Sequence, residues 1–355
     1  MGITFKRKIR HRGQEIGIDL GTTKALVYVR NKGIVINEPT VVAINNKTNQ
    51  ILAIGREAVE MIGKTPPHIN AIRPLVNGVI SDFEVTEKML RYFLEKSEKK
   101  NFLGNLFNWS RLVVSIPCGG TEVEKRAVED AAKSAGAKEV FLIEEPVAVA
   151  LGMRLPIQES SGVFVVDIGG GTTEAAVISL GGIVVYRSLR VAGDKLNDDI
   201  IYYLKEKYKI AIGERTAEMV KIAIGSAMDL GTNQDAKIKG RDLTKGLPKE
   251  LKIKEADIRE AITPSLNKII DAVQGTLEET PPELVSDIIS SGIYLSGGTS
   301  LLRGLDKLIS DNIGLPVKIV EDPITAVIRG IGLALEDLNQ YQDFLININR
   351  EKPPV

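Results

Sequence analysis

Two short runs of acid, glycine and threonine carry the most chemistry in this sequence. One is Asp19-Leu20-Gly21-Thr22-Thr23-Lys24, and the other is Asp167-Ile168-Gly169-Gly170-Gly171-Thr172-Thr173-Glu174. Each follows an apolar stretch that ends at its aspartate. A glycine-containing turn between strands aims several backbone N–H groups at one point, and such a nest holds phosphate. Glycine lets the backbone approach closely, and threonine adds a hydroxyl donor. Asp19 and Asp167 stand just before the turns, where they can hold a hydrated Mg2+ against phosphate oxygens. An ordinary hairpin with turn glycines would use the same residues. The second copy argues against that, because two nests can grip one polyphosphate from both sides.

A third run, Ser296-Gly297-Gly298-Thr299, follows an apolar stretch in SGIYLSGGTSLLRGL, residues 291–305. It reads as strand, Gly-Gly turn and helix. Such a turn can lie flat against adenine and ribose. It serves equally as a helix entry that needs positive φ.

The elements that must carry these runs follow from apolar patterning. Strands are expected over 16–20 and 25–29 around the first turn, with a third over 33–37. Residues 161–193 repeat this three-strand pattern, and the two motifs match if two glycines are inserted. Each half then shows strand, acid, proline and helix: FLIEEPVAVALG at 141–152 and KIVEDPITAVIRG at 318–330. Pro146 and Pro323 are expected in first helical turns, where the missing N–H costs nothing. The chain therefore reads as a long-period duplication. Further helices are expected over 85–96, 122–135, 194–209, 216–226 and 253–277, with Pro264 kinking or dividing the last. Segments 43–75 and 196–257 interrupt their halves as inserted subdomains.

Composition bounds the alternatives. The chain has 355 residues, 43% of them hydrophobic, with 46 basic and 46 acidic side chains and net charge zero. This argues against a disordered chain and against a generally basic nucleic-acid binder. The single Cys118 excludes an internal disulfide, and two histidines, His11 and His68, make a His-based metal site improbable. No apolar run is long enough to span a bilayer. The N-terminus lacks the apolar core of a secretory signal, so a cytoplasmic globular protein is expected.

In order and spacing, 19–23, 144–152, 167–174, 296–304 and 321–332 resemble the phosphate 1, connect 1, phosphate 2, adenosine and connect 2 motifs of actin-fold ATPases. Longer strings, among them NEPTVVAI, AIRPLVNGVISDFEVTEKML, VVDIGGGTTEAAVISLGGIVV and LEETPPELVSDII, resemble the bacterial actins of the MreB family over nearly the entire chain. The resemblance implies an α/β actin-like fold: duplicated ribonuclease H-like domains with two inserted subdomains. Subdomain IA would take 1–42, 76–159 and 325–355, and IB would take 43–75. IIA would take 160–195 and 258–324, and IIB would take 196–257.

The resemblance further implies ATP (or GTP) with Mg2+ in the cleft, slow ATP hydrolysis, and self-assembly into filaments of paired protofilaments. Glu145 and Thr172 fall on the family's water-positioning residues. Nucleotide contacts fall on Asp19, Gly21, Thr22, Thr23 and Lys24, on Gly169, Gly170, Gly171, Thr172 and Thr173, and on Gly193 and Asp194. Glu218 and Lys221 match a pair that contacts ribose and base, and would otherwise form a surface ion pair. Ser296, Gly297, Gly298 and Thr299 complete the set, with Asp19 and Asp167 on the metal through water. The first turn has Thr23-Lys24 where the family usually has Ala-Asn, so Lys24 either touches phosphate or faces solvent. Thr299 replaces a usual glycine and would crowd the α-phosphate side. Cys118 reads as a packing residue.

The stretch KKNFLGNLFNWSR at 99–111 gathers Phe102, Leu103, Leu106, Phe107 and Trp109 between basic flanks. Apolar side chains with Trp and a Lys/Arg rim suit a bilayer interface, and the segment resembles a membrane loop of some bacterial actins. The alternative is a loop folded onto its subdomain. Lys6, Arg7, Lys8, Arg10 and Arg12 add a basic arm suited to an anionic leaflet. These features predict weak, multivalent attachment to the inner face of the cell membrane, with cell-shape or wall-synthesis proteins as partners and no nucleic acid. Other readings are a small-molecule kinase of the same superfold, a chaperone ATPase, and a division or plasmid-segregating actin. No acceptor-substrate motif, peptide-binding domain or C-terminal membrane helix speaks for them.

Overall fold

The computed structural model describes residues 14–97 and 109–347. Two five-stranded sheets form its centre. In the first, Gly33–Pro39, Lys24–Val29 and Gln14–Leu20 are antiparallel neighbours, and Trp109–Ile116 and Glu139–Glu144 continue the sheet in parallel. In the second, Gly182–Leu189, Thr173–Ser179 and Val163–Ile168 take the antiparallel places, and Ile293–Ser296 and Val317–Ile319 the parallel ones. The strand order is the same in both, so the repeated motifs belong to a repeated topology.

Parallel neighbours need crossovers, and helices supply them. Helix Phe83–Ser97 lays Met89, Leu90, Phe93 and Leu94 on Ile16, Ile18 and Leu112 of the first sheet. Helix Glu122–Ser134 starts with a capping box, in which Thr121 Oγ1 accepts from the Glu124 N–H and Glu124 Oε2 accepts from the Thr121 N–H. Between the two sheets lie helices Glu145–Gly152 and Ala326–Glu336. Their apolar residues share one core with Val113 and Ile143 of the first sheet and Val163, Val165 and Ile178 of the second. Every residue of Val163–Ile168 and Thr173–Ser179 is buried, which is the pattern of strands covered on both faces.

Two three-stranded sheets and a two-stranded hairpin, Leu75–Val76 with Val79–Ile80, sit beside the two five-stranded ones. Val42–Asn45, Gln50–Ile54 and Ile69–Ile72 form one, with a small core of Val41, Ala43 and Ala58. Ile210–Ala211, Asp235–Asp242 and Pro248–Lys254 form the other. Its Ile210, Ile238 and Ile253 join the main core of the second lobe through helices Gly193–Tyr208 and Glu255–Glu278.

Four expectations need correction. The long helix starts at Glu255, because Ile253 belongs to a strand and is fully buried there. Pro264 does not divide it: one helix runs from Glu255 to Glu278, and Thr263 Oγ1 donates to the Arg259 carbonyl beside the proline. Pro323 is not in a helical first turn. Asp322 has φ +44° and the Thr325 N–H bonds to its carbonyl, so Pro323 sits at the second position of a turn and the helix begins only at Ala326. After Ile293–Ser296 the chain makes a short 3-10 turn, Gly298–Leu301, and its α-helix begins at Leu305.

Candidate functional site

The two hairpin turns have one architecture. The Gly21 N–H bonds to the Lys24 carbonyl at 3.1 Å, and the Gly169 N–H bonds to the Thr172 carbonyl at 2.9 Å. Leu20 pairs with Ala25, and Ile168 pairs with Thr173. Both loops thus hold four residues, and they align position by position. The two-glycine insertion expected from the sequence is not needed: Thr22 and Thr23 correspond to Gly170 and Gly171, and Lys24 corresponds to Thr172.

The turns face each other, and this explains their difference in composition. A Cβ on Gly170 would collide with Thr23 Oγ1, and one on Gly171 would collide with Thr22 Oγ1. Threonines of one turn fill the space that glycines leave in the other. Thr22 Oγ1 also accepts from the Gly78 N–H at 2.9 Å. Gly78 follows Asn77 in a tight hairpin turn, with φ of +75° and +51° respectively. The Asn-Gly pair was the available sequence signal for this contact.

Around the facing turns lies a cavity of about 430 Å³. Asp19, Gly21, Thr22, Thr23, Lys24, Glu145, Asp167, Gly169, Gly170, Gly171 and Thr172 line its inner part. Gly193, Asp194, Glu218, Lys221, Gly297, Gly298 and Thr299 line the rest, together with Ile222, Leu301 and Leu302. Two expected residues do not line it. Thr173 is fully buried and donates to the Val191 carbonyl at 2.7 Å. Ser296 is fully buried, pairs in register with Asp167, and donates to the Pro323 carbonyl at 3.4 Å. They stand behind the wall and hold its shape. The apolar wall of Ile222, Leu301 and Leu302 is not readable from the sequence, since Ile222 and Leu301 are exposed apolar residues with no periodic signal of their own and Leu302 counts equally as a core residue.

Hydrogen bonds stitch the second turn to its surroundings. The Gly169 carbonyl accepts from Thr299 Oγ1 at 2.7 Å and from the Gly193 N–H at 3.2 Å, and the Gly170 carbonyl accepts from the Asp194 N–H at 2.8 Å. The Thr299 hydroxyl is therefore tied to the turn. Glu218 and Lys221 do not pair on the surface: Asn197 Nδ2 donates to Glu218 Oε2 at 3.0 Å, and Lys221 Nζ donates to the Gly193 carbonyl at 2.8 Å. Cys118 is buried, and its backbone N–H donates to Glu174 Oε2 at 3.1 Å.

Electrostatically, the inner part is a cluster of crowded carboxylates. Burial pushes Asp19 up to about 7, against a Ser115 hydrogen bond that lowers it, with Asp167 adding to the rise. Burial pushes Asp167 up to about 6, opposed by Ser296, and Glu174 up to about 8, opposed by Ser188 and the Cys118 N–H. Glu145, the first residue of its helix, is held well above the usual carboxylate range by burial and then by Asp167, Glu174 and Asp19. Asp167 Oδ1 is buried with no hydrogen-bond partner. Acids in this state fit a cation that neutralises them. Among the described residues no group of three or more His, Cys, Asp or Glu side chains gathers as a metal cage. A cation here would need water and phosphate oxygens as its other ligands, as Mg2+ accepts.

The candidate membrane residues Phe102, Leu103, Leu106 and Phe107, and the basic N-terminal arm, lie outside the described residues. Trp109 opens the strand Trp109–Ile116. Among the described residues, no helix is long and apolar enough to cross a membrane.

Comparison with known proteins agrees with this geometry. The family described as MreB/Mbl protein matches residues 13–343. The cell shape-determining protein Mbl of Bacillus cereus is 46% identical over 327 residues, covering 92% of this chain and 97% of that protein. The cell shape-determining protein MreB of Escherichia coli is 46% identical over 331 residues, covering 92% and 94%. Among solved structures, MreB5 of Spiroplasma citri bound to ADP superposes with a TM-score of 0.87 at 40% identity, covering 94% of this chain and 98% of that one. A MamK double helical filament structure shares the fold, with a TM-score of 0.77 at 21% identity over 91% and 99%. With two facing phosphate-type turns in a duplicated actin-like frame, and relatives matched along almost their whole length, the chain belongs to the MreB/Mbl family of bacterial actins.

Proposed function

We propose that this chain is a cytoskeletal ATPase. It binds ATP with Mg2+ between its lobes, hydrolyses it slowly, and assembles into membrane-associated filaments that determine cell shape. The observation that carries the reading is the pair of interlocked turns over a cluster of buried acids. Related MreB5 structures from Spiroplasma citri hold ADP or AMPPNP, which supports a nucleotide in the same cleft.

In this reading the N–H groups of 22–24 and 170–172 hold the phosphates from both sides, while those of Gly21 and Gly169 close their own turns. Ile222, Leu301 and Leu302 shelter the base, and Glu218 and Lys221 meet ribose and base. Glu145 orients the attacking water, and the Thr172 hydroxyl completes its hydrogen bonds. Phosphoryl transfer depends mainly on positioning and charge neutralisation, so Glu145 need not be a strong base. Asp19 and Asp167 would hold Mg2+ through water, and that ion supplies charge neutralisation at the phosphates. The four-subdomain division, with insertions at 43–75 and 196–257, belongs to the same reading.

Filaments explain how marginal membrane contacts suffice, because assembly multiplies many weak anchors. Attachment is assigned to the Phe102–Trp109 region and the basic arm, at the inner face of the membrane. Sedimentation with ATP and Mg2+, with and without anionic liposomes, tests the proposal. The expected result is nucleotide-dependent pelleting that liposomes enhance. A chain that stays monomeric under every nucleotide, salt and lipid condition refutes the filament reading.

A further inference from the structure

Arg73 follows the strand Ile69–Ile72 of the first lobe's insertion, yet its charge partners are in the second lobe. Nη2 pairs with Glu214, and Nη1 lies 3.8 Å from Asp194 Oδ2. Nη1 is buried and has no hydrogen-bond partner, so it meets Asp194 through charge alone. The guanidinium is mostly enclosed, at 23% exposure.

The two partners occupy matching places. Asp194 is in the first turn of helix Gly193–Tyr208, and Glu214 opens helix Glu214–Ile224. Acids are favoured there by the helix dipole, and at Asp194 the Arg73 charge offsets part of the cost of burial. Both helices reach the cavity. Asp194 lines it, with Oδ1 and Oδ2 each 3.5 Å from Thr23 Oγ1 of the opposite lobe. The second helix delivers Glu218 and Lys221 to the wall, one and two turns beyond Glu214. Arg73 itself does not line the cavity. One side chain thus ties the first lobe to both helices that shape the far wall, without touching what the cavity holds.

We propose that Arg73 is a positioning residue that clasps the two lobes over the bound nucleotide, and that parting its two ion pairs is a step in nucleotide release. The proposal rests on the nucleotide reading above. A clasp outside the cavity acts on the barrier to opening. Its loss speeds entry and exit together and changes affinity little. Arg is suited to the task because its planar fork reaches two carboxylates at once, which a lysine ammonium cannot do equally well. Partly exposed ion pairs are screened by salt, so release from the unaltered chain should quicken as salt rises.

The test uses the full chain with Mg2+ and N-methylanthraniloyl-ADP, chased with excess ADP in stopped flow. Arg73→Gln should raise the dissociation rate about tenfold and the association rate similarly, with Kd moving less than threefold, and should flatten the salt dependence of release. Glu214→Gln, at a part-exposed position, should speed release in the same sense and serves if Arg73→Gln folds poorly. The double variant should release no faster than Arg73→Gln, because both substitutions open the same clasp. Arg73→Lys should fall between. Dissociation within twofold of the unaltered chain in both single variants, or effects that multiply in the double variant, overturns the clasp while leaving nucleotide binding standing. Failure of the unaltered chain to bind the probe overturns the nucleotide reading, and the clasp with it.

Discussion

Asp19 offers a test in which stability and function move in opposite directions. Its carboxyl keeps its proton from the usual 3.8 up to about 7 because it is buried beside Asp167. Between those values the unfolded chain has released the proton and the folded chain has not. The folded state then binds more protons, so its stability falls as pH rises through the window, and the full cost is present above about pH 7. At about 1.4 kcal/mol for each pH unit of the window, the ionised form costs at most about 4 kcal/mol. Water entering the cavity screens part of this, and about 2 kcal/mol is expected. Asparagine keeps the shape, and its Oδ1 still accepts the bond that Ser115 Oγ gives at 2.9 Å. Asp19→Asn should therefore melt higher than the unaltered chain at pH 8 without nucleotide. For a chain of this size about 1–2 °C follows each kcal/mol, giving a rise of about 3 °C. The gain should vanish near pH 4, where both chains are neutral at this position. With Mg2+ and ATP the order should reverse, because the unaltered chain alone has the negative charge that a cation rewards. Melting by fluorescence scanning across pH, with and without Mg-ATP, reads all three arms. A variant that melts no higher at pH 8, or by the same margin at pH 4, refutes the account of this cluster.

Other outcomes follow from the same site. Glu145→Gln should keep nucleotide binding and slow phosphate release about 100-fold or more, the range of a lost proton-handling group; unchanged release in a coupled phosphate assay removes Glu145 from its role. Gly170→Ala should weaken nucleotide binding at least tenfold, because its methyl group meets Thr23, and adding Thr23→Gly should recover part of the loss by returning the volume; calorimetric titration of both variants measures this. Replacing Leu106 and Phe107 by Ser should abolish pelleting with anionic liposomes while leaving hydrolysis near normal, and retained pelleting would move the membrane contact elsewhere.

The hairpins were legible because aspartate, glycine and threonine at fixed offsets leave few alternatives to a tight turn at a strand end. Their mutual alignment was not, since Thr22 and Thr23 take the places of Gly170 and Gly171, and the reason lies across the cleft. Helix bounds followed from apolar spacing where the helix covers one face, as in Phe83–Ser97. They failed where long-range contacts decide. Ile253 is drawn into a hairpin by its partner Ala236. Pro323 is held out of the next helix, where its carbonyl accepts from the Gly297 N–H at 3.2 Å. Pro264 does not divide its helix, which is packed on both sides of it by buried Ala261, Ile262, Ser265 and Leu266. The roles assigned to Thr173 and Ser296 differ from their positions for a simpler reason: a motif names a stretch of chain, and only one side of a strand faces the cavity.

The helices Glu145–Gly152 and Ala326–Glu336 meet where a Cβ on Gly152 would strike the Ala326 carbonyl, and one on Gly330 would strike the Ala148 carbonyl. Main chain lies on main chain there, with no layer of side chains between. Such a contact has no rotamers to rearrange and nothing soft to compress. Glu145 is the first residue of the helix Glu145–Gly152 and lines the cavity. A displacement of one of these helices would therefore pass to the other and to the cavity wall, with no side chains at the crossing to absorb it.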